Sequence, residues 1–125
     1  MKNYRIVGHV VFCGDLDPDP DAAERDLRRV GFTVARMPDR LRPFLCHPQD
    51  DFLKAYVDVT VDVDDRLQTA SRIDGEIQKI VDQYGGDCME IDAAPPDYDP
   101  EREFDDMFTT DNMMLDAILK RGPTT

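Results

Sequence analysis

The chain has 125 residues, with 27 Asp and Glu against 15 Lys and Arg and a formal net charge of −12. That length makes one domain, able to bury about two-thirds of its unfolded surface without disulfides or a structural metal, and its charge disfavours phosphate backbones while attracting basic partners, unless it serves solubility alone. Cys13, Cys46 and Cys88 are scattered free-thiol candidates, and Gly8 and His9 break the N-terminal apolar run far short of the roughly 20 residues of a membrane span, so a cytoplasmic protein with no membrane partner is expected.

Tyr4 to Phe12 alternates with period two, and both faces are largely apolar, as for an interior strand. The acidic turn Asp15 to Asp21 leads into a short helix with Asp19 as cap, Pro20 in the first turn, Ala23, Leu27 and Val30 at helical spacing, and Gly31 as stop. Phe32 to Met37 is a second strand, followed by a proline-punctuated loop carrying a small basic and apolar island. In Lys54 to Val63, KAYVDVTVDV, Ala55, Val57, Val59, Val61 and Val63 face one side and Lys54, Tyr56, Asp58, Thr60 and Asp62 the other, which predicts a central strand with one apolar and one wet face. Asp64 or Asp65 then caps a long helix with Leu67, Ala70, Ile73, Ile77, Ile80, Val81 and Tyr84 in its stripe, ended by Gly85 and Gly86. Cys88 to Ala93 is the fourth strand, with Met89, Ile91 and Ala93 inward and Cys88, Glu90 and Asp92 outward.

This order predicts an α+β fold, a ferredoxin-like βαββαβ sandwich whose antiparallel sheet runs 4-1-3-2 with two helices on one face. Residues 1–94 form the domain, and 95–125 an acidic linker and a short C-terminal helix from Asp111 to Arg121. The apolar groups of the tail, among them Phe104, Met107 and Phe108, are expected to pack within the molecule or in a dimer made through the tail or the open sheet.

Several chemistries are weighed against the residues. RNA binding on the open face needs stacking aromatics within basic charge, but Tyr56 stands among Asp58, Asp62, Glu90 and Asp92, so no direct nucleic-acid contact is expected. The alternating aspartates of 15–21 fail as a calcium loop, because Pro20 and Asp26 occupy the positions that need glycine and glutamate. His9, Cys13, Cys46, His47 and Cys88 lack metal-ligand spacing, no glycine-rich phosphate loop or serine motif is present, and nothing flanks the thiols that would activate them. The expectation is no metal, no cofactor and no enzyme.

The opening YRIVGH, the helix ending VGFTV and the stretch RIDGEIQKIVDQYGGD resemble the bacterial regulator of ribonuclease activity B family, over roughly residues 1–95. That family places an aromatic, tryptophan-bearing segment after its second helix, where this chain has CMEIDAAPPD and no tryptophan. The resemblance implies a small acidic ferredoxin-like inhibitor of a ribonuclease. The leading expectation is a non-enzymatic regulator that docks on a basic protein surface through Tyr56, Asp58, Asp62, Glu90 and Asp92, with Asp105 and Asp106 in the tail. The alternative is a dimeric small-molecule or metal-binding domain in which the 38–53 loop closes over a ligand with Arg40, Arg42, Cys46 and His47.

Overall fold

The computed structural model describes residues 1–45 and 47–104 of the chain. In chain order its elements are β1 (Lys2–Phe12), α1 (Pro20–Arg29), β2 (Thr33–Arg36), β3 (Asp51–Val61), α2 (Arg66–Val81) and β4 (Gly86–Ala94). The β-branched strands β1 and β3 pair along their whole length, from Lys2 opposite Val61 to Phe12 opposite Asp51. β2 adds to β3 and β4 to β1, giving the order β2-β3-β1-β4 with every neighbouring pair antiparallel. The α+β class predicted from periodicity is the one observed.

Both helices cover one face of the sheet. Ile6, Val10 and Phe12 of β1 and Leu53 and Ala55 of β3 pack against Leu27 of α1 and Ile73, Ile77 and Val81 of α2. α1 starts as its sequence predicts, with the Asp19 carboxylate accepting from the Ala22 N–H at 3.1 Å, and it ends at Gly31, whose φ is +107°. α2 comes close to the sheet at Gly8, where a Cβ would stand 2.7 Å from Ile77 Cδ1. Val30 and Leu67, expected in the buried stripes, are 62% and 68% exposed. Val30 follows the last residue of α1 and Leu67 sits in the first turn of α2, so both lie past the ends of the packed surface.

β3 is displaced from its predicted bounds. It begins at Asp51, and it stops at Val61 because its partner β1 runs out at Lys2. Asp62 and Val63 therefore leave the sheet, and Val63 opens a 3-10 turn with its side chain half exposed rather than on the valine face.

The larger correction concerns the face predicted to be wet. Lys54 lies on it as the alternation requires, yet Lys54 is 2% exposed. Two segments cover it. The 3-10 turn Asp39–Phe44 inserts Leu41 beside Ala35 and Met37, and Phe104 joins the same cluster with Phe52 and Tyr56 at its margin. Residues 95–104, expected as a linker, return across the sheet and become helical from Pro100. Val7, on the same face, is completely buried, so this side holds a second, smaller core. Among the described residues no helix is long and apolar enough to cross a membrane.

Candidate functional site

Strand pairing assembles the site. β1 sets His9 opposite Lys54 on β3 and opposite Glu90 on β4, so the three side chains share the face away from the helices. The Lys54 ammonium lies 3.1 Å from His9 Nδ1, 3.2 Å from a Glu103 carboxylate oxygen and 3.4 Å from the Tyr98 hydroxyl. It also stands 4.9 Å from the centre of the Phe104 ring. On the far side of the imidazole, His9 Nε2 is 2.8 Å from Asp92 Oδ2.

These contacts assign the proton positions. An ammonium only donates, so His9 Nδ1 accepts from Lys54, and the ring proton sits on Nε2, donated to Asp92. Burial pushes the Lys54 pKa below its ordinary value, and the nearby carboxylates of Glu103, Asp92 and Glu90 oppose that shift without cancelling it. The result is a continuous chain from Asp92 through His9 and Lys54 to Glu103, running from β4 to the C-terminal segment.

β4 carries an irregularity at this place. His9 pairs with Glu90 but Val10 pairs with Cys88, so Met89 is an extra residue, a β-bulge. The bulge exchanges the predicted orientations: Cys88 packs against the helix-side core, and Met89 is 59% exposed. Alternation read through the bulge fails because the period of two is interrupted there. Met89 instead borders a cavity of about 270 Å³ lined by His9, Phe52, Lys54, Glu90, Glu103 and Phe104 among others.

The residues predicted to bind a partner are placed unevenly. Asp58 is held by Arg5 in a two-pronged bridge at 2.8 and 3.1 Å, whose hydrogen bonds lower the Asp58 pKa. The same guanidinium covers the Tyr56 ring at 5.1 Å and donates to the Tyr98 carbonyl at 2.7 Å, so Tyr56 is not an open stacking platform. Glu90 lines the cavity and is exposed, and Asp92 is engaged with His9. Asp62 stands apart, 3.7 Å from the N-terminal amine. Asp105, Asp106 and the helix expected from Asp111 to Arg121 lie outside the described residues.

The loop residues do not converge on one ligand site. Arg42 donates to the carbonyls of Pro48 and Asp50 at 2.8 and 2.7 Å and thereby holds its own loop together. Arg40 lines a separate hollow with Arg36, Pro38 and Asp99. His47 is exposed, and Cys46 lies outside the described residues.

His9, Glu90 and Asp92 place ligand atoms within 4.8 Å of one another, a spacing that could hold a metal ion. The hydrogen bonding of His9 fits a metal poorly: a ligating histidine normally donates from its other nitrogen, whereas His9 Nδ1 accepts from a buried ammonium. Sequence reasoning missed Lys54, Phe52, Met89 and Glu103 as site residues. One signal was present, a lysine in the middle of an otherwise valine-rich central strand. No family model, no curated protein and no solved structure matches this chain.

Proposed function

We propose that the protein is a ferredoxin-like, non-enzymatic regulatory domain that docks on a basic surface of a protein partner, a nuclease or other nucleic-acid-handling enzyme being the partner class that its family resemblance implies. The observed strand order, with β1 and β3 central and both helices on one face, supports the fold name.

One observation carries the functional reading. Arg5, Arg28, Arg36, Arg42, Lys54 and Arg72 are all engaged in internal ion pairs, so these cations screen carboxylates within the fold rather than on a partner. Asp87 and Glu90 of the edge strand β4 and Asp64 and Asp65 of the turn are exposed and take part in none of these ion pairs among the described residues. The outward field is therefore negative where the surface is free, and long-range attraction selects a cationic partner.

Pull-down from lysate at about 0.05 M and about 0.5 M salt tests this, because such association weakens as the Debye length shortens. The expected result is a basic partner lost at high salt and lost again with Asp87→Asn/Glu90→Gln. Recovery of no basic protein, or retention indifferent to both salt and charge removal, would overturn the reading.

A further inference from the structure

The geometry points to the cavity between β4 and the C-terminal segment as a socket for one arginine or lysine side chain of the basic partner. This rests on the docking function proposed above and specifies its anchor point.

Three properties of the cavity select that occupant. Its size, about 270 Å³, falls just below the range of sites for drug-sized ligands and suits a single long side chain. Its walls pair apolar surface with acid: Phe52, Phe104 and the thioether of Met89 would lie along an alkyl stem, while Glu90 and Glu103 would meet a cationic head. The charges are unbalanced in the required sense. The cation of the lining, Lys54, already donates to His9, Glu103 and Tyr98, whereas the exposed Glu90 acts on Lys54 through its charge and is not one of those hydrogen-bond partners. An anionic ligand would meet Glu90 and Glu103. A metal would meet the Lys54 ammonium behind His9.

The β-bulge is a second, independent feature of the same place. It inserts Met89 opposite the His9–Val10 step and turns the side chain out beside Glu90, at the cost of an interrupted ladder. A regular strand would have put Met89 into the helix-side core. An adaptable side chain exposed at a bulge beside an exposed carboxylate is the arrangement of a rim that closes on an inserted group.

The test uses the full chain with ¹³C-methyl-labelled methionine, the Met89 signal being assigned through Met89→Leu. The probe is a capped glycine-serine peptide with one central arginine, compared with the same peptide carrying the neutral isostere citrulline. A saturable Met89 methyl shift with the arginine peptide is expected, with no shift from the citrulline peptide. Glu90→Gln should weaken binding at least about threefold, while Asp15→Asn at a distant turn leaves it unchanged. Three results would overturn the inference: no Met89 response, an equal response to citrulline, or a Met89 signal altered by Lys120→Gln/Arg121→Gln but not by peptide, which would assign the cavity to the chain's own tail. If a longer polyarginine peptide binds with salt dependence while Met89 stays silent, the socket fails and the acidic docking surface stands. If neither probe binds, both fail.

Discussion

Lys54 and Glu103 meet at 3.2 Å where the C-terminal segment crosses the sheet, the lysine side chain 2% exposed and the glutamate 32%. The ion pair fastens residues 95–104 over a face that alternation alone would leave open. Its two halves are not equivalent. Removing the carboxylate leaves a buried ammonium short of a partner, whereas replacing the lysine removes the charge that needed one.

Glu103→Ala should therefore destabilise by about 2 kcal/mol, and Lys54→Met, which keeps the stem volume, by under about 1 kcal/mol. Chemical denaturation of both variants checks the order. Equal losses, or a larger loss for Lys54→Met, would show that the lysine is a net stabiliser and not a charge held at a cost.

The same burial has a pH signature. Because the folded-state pKa of Lys54 lies below the unfolded value of 10.5, the unfolded chain holds more protons at this group between the two values. Stability from this group therefore rises with pH through the window just below 10.5 and is lowest beneath the folded pKa. The difference in denaturation midpoint between the native chain and Lys54→Met should shift in favour of the native chain as the pH rises toward 10.5. A flat difference would contradict it.

What was legible in the sequence follows from which physical signals are local. Alternation in 54–61 and the 3.6-residue stripe of Ala70, Ile73, Ile77 and Val81 identify their elements because each residue reports its own face. The α1 cap was legible for the same reason, since Asp19 and Pro20 act within one turn. The covering of Lys54 was not legible, because it depends on Phe104 and Glu103 returning from about 50 residues away, and an alternating strand looks the same whether its polar face meets water or a folded-back segment. The bulge was hidden because one inserted residue puts the two sides of a strand out of step, so that Cys88 and Met89 exchange faces while Glu90 to Ala93 keep theirs, and nothing in Cys88-Met89-Glu90 marks the insertion. The site lay hidden with them, since it is made by that insertion and that return.

The bulge itself predicts a contrast between neighbours. Met89→Lys should change stability by no more than about 0.5 kcal/mol, as for an exposed position, while Cys88→Lys should cost more than about 2 kcal/mol by placing a charge against the helix-side core. If the two costs were reversed, the regular alternation would hold and the bulge would be absent.

Cysteine labelling checks the same region chemically. Burial, followed by the hydrogen bond and charge of Asp74, pushes the Cys88 thiol up to about 12, whereas Cys13 is exposed. Iodoacetamide at about pH 8 should modify Cys13 at least about tenfold faster than Cys88, read by peptide mass spectrometry. Comparable rates would place Cys88 on the solvent side of β4.

α2 approaches β1 closely at Gly8. A Cβ there would lie 2.7 Å from Ile77 Cδ1 and 3.2 Å from Cys88 Sγ, and Ile77 is completely buried and cannot swing away into solvent. Gly8→Ala should therefore cost about 1–3 kcal/mol by overpacking, although alanine suits a strand better than glycine does. Ile77→Val deletes the offending Cδ1, and alone it should cost about 1 kcal/mol. Together the two should be less destabilising than the sum of their separate costs, with a coupling of at least about 0.5 kcal/mol in a double-mutant cycle. Strict additivity would mean that α2 does not lean on Gly8, and that the spacing of helix and sheet is set elsewhere along Ile73 and Val81.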